Sequence, residues 1–337
     1  MLHPINPWKI IVHSEKIKDI LEGKDVAPIT LGLDLSNKCG HRCIWCLYDK
    51  YKKEKPYNMS KELIRKAIID FRDVGGTSVC FSGGGSPLMN EHINFAIIES
   101  KKLGLECSLN TNGGRLQILS DNAINALSYI RISLDAGSRK SHDKLHEPME
   151  GNFNEIMENI KNIRLKTSIP IGVGYLVHPC NYKEIASLTV DLNNIGVDYI
   201  QVRPIKNIRL SEEQMRSVLL QIDYIKRYMK PSLEVYESFS KMSDTIEGKN
   251  KCNECYVNKL VANVGPDGEV YSCCELRGIN SLGNIAENSF KDIWFSKKHK
   301  DMLDSLDISK CPPCKYSKMN EIIERVFVND ELNRNFI

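Results

Sequence analysis

The sequence predicts an α/β fold built on a run of parallel strands, and three observations point to it. From Ile29 to about Met229, short β-rich runs alternate with amphipathic helical runs. Several of these strands are polar on one face, whereas strands buried in a parallel sheet usually read as continuous apolar runs. Beyond Lys249 the alternation stops and grouped cysteines replace it.

The strand candidates are Ile29–Ser36, Thr77–Ser82, Glu106–Thr111, Tyr129–Asp135, Ile169–Val177 and Tyr199–Arg203. Helical patterns lie between and after them at about 60–74, 91–103, 120–127, 152–165, 182–195 and 211–229. Ser60-Lys-Glu-Leu and Ser211-Glu-Glu-Gln read as helix N-caps, the Ser hydroxyl accepting from a free N–H of the first turn. Six such units in succession imply a parallel sheet with right-handed crossovers, either an open doubly wound sheet or a curved, incomplete barrel. Side chains alternate across a strand with a period of two. That period groups Gly32, Asp34 and Ser36; Glu106, Ser108 and Asn110; Arg131, Ser133 and Asp135; and Tyr199, Gln201 and Arg203. The apolar faces can pack on helices. The polar faces converge, which suits a barrel lumen holding a polar ligand.

A chain of 337 residues is long enough for two or three cores. Its net charge of +3 gives no footprint for nucleic acid. No run approaches the ~18 consecutive apolar residues of a membrane span, and residues 1–9 lack the basic and apolar regions of a secretory signal. A cytosolic protein is expected, and there thiols stay reduced. The twelve cysteines therefore read as metal ligands or redox groups, not as a disulfide framework. Cys80 and Cys107, inside strands, read as core.

Cys39-Gly-His-Arg-Cys43-Ile-Trp-Cys46 directly follows the first strand, where α/β sheets place their ligand-binding loops. Three thiolates on one loop can hold a 4Fe–4S cubane and leave its fourth iron open. Zinc would lack a fourth ligand there. With this loop come Ser82-Gly-Gly-Gly-Ser-Pro after the second strand, Asn110-Thr-Asn-Gly after the third and Ile132-Ser-Leu-Asp-Ala-Gly on the fourth. In that order, the motifs resemble the radical S-adenosylmethionine (SAM) superfamily. The resemblance implies a partial (βα)6 barrel of the TIM type over residues 29–230. It also implies a cluster on Cys39, Cys43 and Cys46 whose open iron binds SAM, and a 5′-deoxyadenosyl radical that takes hydrogen from a substrate. SAM is then expected against Gly84, Gly85, Ser86, Asn110 and Asn112. The chain departs from the family twice: Ser86 stands where a Glu is usual, and His146 follows His142-Asp143 where an Arg is common. The SAM carboxylate is instead expected on Ser133 and Arg203. Asp34, Arg131, Asp135 and Gln201 are left to face substrate.

At the C-terminal end, Val264-Gly-Pro-Asp-Gly-Glu-Val-Tyr reads as two strands joined at a Pro-Asp-Gly turn. Cys252-x2-Cys255 and Cys311-x2-Cys314 have zinc spacing, a reading that leaves Cys273 and Cys274 unexplained. The set Cys255-x12-Gly268-x4-Cys273 with the later C-x2-C, and Leu282-Gly-Asn-Ile before Asp292-Ile-Trp294, is similar to the SPASM/Twitch extensions of radical SAM enzymes. That similarity implies one auxiliary 4Fe–4S cluster on Cys255, Cys273, Cys311 and Cys314, with Cys252 able to replace Cys255. The expected organisation is an N-terminal extension (1–28), the barrel (29–230), a linker (231–249), the cluster domain (250–320) and a tail (321–337).

If Cys273 and Cys274 follow one another on a strand, their thiols face opposite sides. Cys274 would then be a spare thiol near the barrel mouth, able to return hydrogen to a carbon radical, with Cys252 as the second candidate. The Asp135–Asn152 stretch is similar to the aminoglycoside and carbohydrate branch that includes neomycin C epimerase. This similarity implies epimerisation of a sugar or aminoglycoside-like small molecule. Dehydrogenation or diol dehydration of a similar substrate, and modification of a ribosomal peptide, are the alternatives. Flavodoxin or ferredoxin is the expected reductant, with the charged run Lys50–Tyr57 as a possible docking point.

Overall fold

The computed structural model describes residues 6–49, 55–205, 208–238, 252–311 and 314–328. Most of the charged run and most of the expected linker lie outside the described residues, as do Pro312, Pro313 and the last part of the tail. Ten strands form one sheet: β1 (Thr30–Asp34), β2 (Ser78–Ser82), β3 (Glu106–Thr111), β4 (Tyr129–Ser133), β5 (Ile171–Val177), β6 (Tyr199–Pro204), β7 (Glu234–Glu237), β8 (Val261–Val264), β9 (Glu269–Tyr271) and β10 (Gly283–Asn284). Their spatial order is β10-β9-β8-β1-β2-β3-β4-β5-β6-β7, and every pair from β8 through β7 is parallel. Only β9 and β10 run antiparallel to their neighbours.

The helices are α1 (Ser14–Leu21), α2 (Lys61–Asp73), α3 (Ile93–Lys102), α4 (Asp121–Ala126), α5 (Arg139–His146), α6 (Phe153–Lys166), α7 (Ile185–Ile195), α8 (Glu212–Tyr224), α9 (Phe290–Trp294), α10 (Lys297–Asp304) and α11 (Ser317–Ile323). Of these, α2, α3, α4, α6, α7 and α8 fall on the six helical patterns between and after the strands, whereas α1, α5 and α10 were not expected. Both expected Ser caps are present. Ser60 accepts from Leu63 N–H, and Ser211 forms a reciprocal capping box with Gln214. The apolar strand faces (Leu31, Leu33, Val79, Phe81, Leu109, Ile130, Ile132, Val173, Ile200 and Val202) are fully buried against the helices. The polar faces line the inner side of the curved sheet, which leaves their side chains at the carboxyl ends of parallel strands.

Three features differ from expectation. β7 occupies the start of what reads as linker; it is a four-residue edge strand, half-exposed, and too short to signal itself. Among the described residues the C-terminal region has no separate sheet, because β8 pairs in parallel with β1 and makes the cysteine-bearing hairpin a continuation of the barrel wall. Cys107 is core, but Cys80 lies half-buried on the polar face, with Asn110 Nδ2 3.1 Å from its sulfur.

The Asp292-Ile-Trp294 motif is structural. Phe290 meets Phe71 edge to face at 5.7 Å and stacks on Trp294, whose indole N–H donates to the Val26 carbonyl. Asp70 accepts from the Phe290 backbone N–H and from Lys66. Together these contacts dock α9 on α2. Phe290→Ala should cost about 3–5 kcal/mol of unfolding free energy by the cavity it leaves. Urea denaturation checks this, and a loss under 1 kcal/mol would mean that the two regions do not share a core.

Candidate active site

The loop after β1 carries Cys39, Cys43 and Cys46, all half-buried. It is held from two sides. On one side, Ser86 N–H donates to the Lys38 carbonyl at 2.7 Å. Gly85 lies so close under the loop that a Cβ there would overlap the backbone of Ser36, Asn37 and Lys38. On the other side, Arg42 and Ile44 N–H donate to the carbonyls of His146 and Leu145 at the end of α5. Asn112 Nδ2 stands 3.9 Å from Cys39 Sγ, and His146 Nδ1 stands 3.1 Å from Cys43 Sγ. Three thiols on one pinned loop, each open on one side, fit a group bound by three thiolates. Gly84, Gly85, Ser86, Asn110, Asn112 and Ser133 all gather at this end of the sheet, on or just after β2, β3 and β4.

His41, His142 and His146 pack together behind the loop, with ring centroids 4.6–5.3 Å apart. Trp45 covers His146 at 5.5 Å. His146 Nε2 lies 3.1 Å from the Leu134 carbonyl and 3.6 Å from Asp135 Oδ2. The ring therefore spans from a loop cysteine to the end of β4. Burial, with neighbouring imidazoles adding to it, holds His142 down at about 4 and His146 well below its ordinary value. In sequence the only signal of this cluster is the His142-Asp143-x2-His146 departure.

Two expected substrate carboxylates are spoken for. Asp34 is fully buried, accepts from Gly84 N–H, and has Oδ1 3.0 Å from Arg277 Nη2. Arg277 comes from the region after Cys274 and also donates to Tyr48 and Asn263. Gly32 gives it room, since a Cβ there would overlap Asn263 and press on Arg277. Asp135 is buried in the left-handed region at φ 53°, and its Oδ1 accepts from Leu176 N–H at 2.7 Å. Burial pushes its carboxyl up to about 6. Neither Arg277 nor Tyr48 had a signal in the sequence.

Arg131, Gln201 and Arg203 do face the lumen. Nε and Nη2 of Arg131, Oε1 of Gln201, Nε of Arg203 and Oδ1 of Asn110 are buried without hydrogen-bond partners. β5 clears the space. A Cβ on Gly172 would overlap the Tyr199 ring, and one on Gly174 would stand 3.1 Å from Arg131 Nη2.

In the C-terminal region, Cys255 has Asn320 Nδ2 3.7 Å from its sulfur, and Cys314 Sγ accepts from Tyr316 N–H. Burial pushes the Cys255, Cys311 and Cys314 thiols up, and Cys314 reaches about 11. Metal coordination reverses this by deprotonating the sulfur. The expectation that Cys273 and Cys274 point apart fails. Cys273 ends the extended segment and caps a 3-10 turn that begins at Cys274, so the period of two no longer applies. The neighbouring Cys273 thiol, with Lys315 and Arg277 nearby, holds Cys274 below its ordinary value. Cys252 is buried near Cys255 and Cys314 and is pushed up to about 12. Neither candidate hydrogen donor stands apart from the cluster cysteines.

Comparison with known proteins matches residues 33–190 to the radical SAM superfamily and residues 252–316 to the SPASM iron–sulfur cluster-binding domain. A tungsten-containing aldehyde ferredoxin oxidoreductase cofactor-modifying protein of Pyrococcus furiosus is 25% identical over 305 residues, covering 80% of this chain and 81% of that protein. Fe-coproporphyrin III synthase of Methanosarcina barkeri is 25% identical over 170 residues, 49% of this chain and 41% of that one. Among solved structures, Streptococcus suis SuiB bound to its precursor peptide SuiA superposes with a TM-score of 0.66 at 16% identity, covering 89% of this chain and 72% of that one. The last shows a shared fold. These two domains imply a 4Fe–4S cluster, an auxiliary cluster and SAM as cofactors. Among the described residues no helix is long and apolar enough to cross a membrane.

Gly85→Ala should lower iron and sulfide content per chain after anaerobic reconstitution while far-ultraviolet circular dichroism stays unchanged, because the added methyl pushes on the cluster loop alone. Full cluster content would reject the bracing role. Asp135 gives a pH test. Its carboxyl titrates near 6 when folded and near 3.9 when unfolded. Its contribution is fully present below pH ~4 and is lost as pH rises through 6, a change on the order of 3 kcal/mol. Asp135→Asn keeps the acceptor for Leu176 and tolerates φ 53°. It should remove that loss, so wild type and variant denaturation curves should converge at pH 4 and separate at pH 7. Parallel pH profiles would contradict the raised carboxyl.

Proposed function

We propose that this chain, a radical SAM enzyme with a C-terminal SPASM domain, takes hydrogen from a carbon of a small polar molecule of the cofactor-precursor class held in the barrel lumen. The observation that carries the reading is the pair of neutral acceptors on the inner wall. Asn110 Oδ1 and Gln201 Oε1 are buried with nothing bonded to them, and each such group costs about 1–3 kcal/mol. A polar ligand with donors recovers that cost. The sequence relatives support the class: one is named for modifying an enzyme's cofactor across most of its alignment with this chain, the other for making an iron porphyrin.

Cys39, Cys43 and Cys46 would hold a 4Fe–4S cluster, which together with SAM would supply a 5′-deoxyadenosyl radical. The chain's own residues set up the rest. Asn112 stands against Cys39, and Ser133 presents an exposed hydroxyl at the end of β4, suited to the SAM carboxylate. Gly85 lets the loop after β2 pack directly on the backbone of the cysteine loop. Cys255, Cys273, Cys311 and Cys314 are the set we assign to the auxiliary cluster.

Sugar epimerisation with Cys274 as hydrogen donor has less behind it. It asks for a thiol clear of the cluster cysteines, whereas Cys274 directly follows Cys273 and ionises under its influence, and neither of the two relatives described above is named for sugar chemistry. Peptide modification draws on likeness of fold alone.

Anaerobically reconstituted protein given dithionite should convert SAM to 5′-deoxyadenosine, and Cys43→Ala should not. Tetrapyrrole, pterin or flavin precursors should raise that rate above the substrate-free rate. Stimulation by an aminoglycoside or a peptide, and by none of these precursors, would overturn the substrate class. Absence of 5′-deoxyadenosine would overturn the reaction.

A further inference from the structure

The lumen contains charge that its own side chains do not balance. Arg131 leaves β4 and reaches across β5, resting its guanidinium over Gly174. Arg203 projects from the end of β6, close enough that burial and the Arg131 charge together hold it down at about 9. Nε and Nη2 of the first and Nε of the second are buried and unbonded. Among the described residues, no carboxylate forms an ion pair with either guanidinium. The nearest acid that both feel is Asp135, which accepts from Leu176 N–H and forms no ion pair with either.

Two neighbouring half-buried cations, each with guanidinium nitrogens shielded from water and without a counter-ion, raise the energy of the folded state. Strain of this kind persists where a ligand relieves it. β5 offers only Gly172 and Gly174 to this part of the wall, so the Tyr199 ring and the Arg131 guanidinium pack directly against its backbone. A guanidinium fork matches a carboxylate or a phosphate two oxygens at a time.

We propose that Arg131 and Arg203 form a clamp for a carboxylate or phosphate group of the substrate, separate from the seat of the SAM carboxylate. This rests on the lumen being the substrate site, and it moves Arg203 from the cofactor to the substrate. The clamp fixes which end of the molecule enters first and leaves the reacting carbon toward the cysteine loop.

The test is thermal melting of reconstituted protein saturated with SAM, titrated in separate arms with inorganic phosphate and with acetate at constant ionic strength. At least one anion should raise the melting temperature saturably. Saturation by phosphate alone names a phosphate, and by acetate alone a carboxylate. Arg131→Met and Arg203→Met should each weaken that anion at least about tenfold. Without anion, both variants should melt at or above wild type, because each removes one of two like charges; an arginine that merely holds the fold together would lower it. Arg131→Lys, which keeps the charge and loses the fork, should weaken the anion as well and serves if the Met variant fails to fold. A response that is not saturable, variants that bind the anion as wild type does, or anion binding abolished by SAM would each overturn the clamp. Formation of 5′-deoxyadenosine by wild type is measured separately, so failure of the radical chemistry and failure of the clamp are distinguishable.

Discussion

β1 is the strand on which both cysteine sites depend. It pairs with β2 on one side and β8 on the other, all in parallel. Its last residue, Asp34, receives Arg277 from the C-terminal region at 3.0 Å. The loop that leaves it carries Cys39, Cys43 and Cys46, and the hairpin begun by β8 leads to Cys273. A buried ion pair contributes little net stability, but removing one partner strands the other at a cost of several kcal/mol. The pair therefore acts less as glue than as a register mark. It fixes the cysteine hairpin against the barrel because no other arrangement satisfies both charges.

The same economy of space shapes the interior. A barrel of this size fills its lumen with side chains unless some strands withhold them. β5 withholds them at Gly172 and Gly174, and β1 at Gly32, so the Tyr199 ring, Arg131 and Arg277 cross where a side chain would otherwise stand. Arg277 crosses Gly32 and finds Asp34. Arg131 crosses Gly174 and finds no acid. That contrast separates a structural guanidinium from one left available to a ligand.

Much of the fold was legible because its signals are local. Period-two alternation placed Arg131, Gln201 and Arg203 on the inner face, and Ser60 and Ser211 announced their helices through side chains three residues from their partners. The C-x3-C-x2-C loop was legible for the same reason, since all three ligands lie within eight residues. The Cys273–Cys274 pair misled: alternation holds only inside a strand, and a 3-10 turn begins between the two residues. The short edge strand β7 and the parallel seat of β8 on β1 carry no local pattern at all.

The sequence by itself determined the parallel strand–helix series, the cysteine loop, the second cysteine group and the polar character of the inner face. Each follows from residues close together in the chain, where spacing alone fixes which side chains share a surface. Only the tertiary structure decided which of those polar groups are consumed. Asp34 is taken by an arginine from the far end of the chain and Asp135 by a backbone N–H of β5, while two guanidiniums stay unbalanced. Charge pairing depends on distance in space, which strands far apart in sequence acquire only when the sheet assembles.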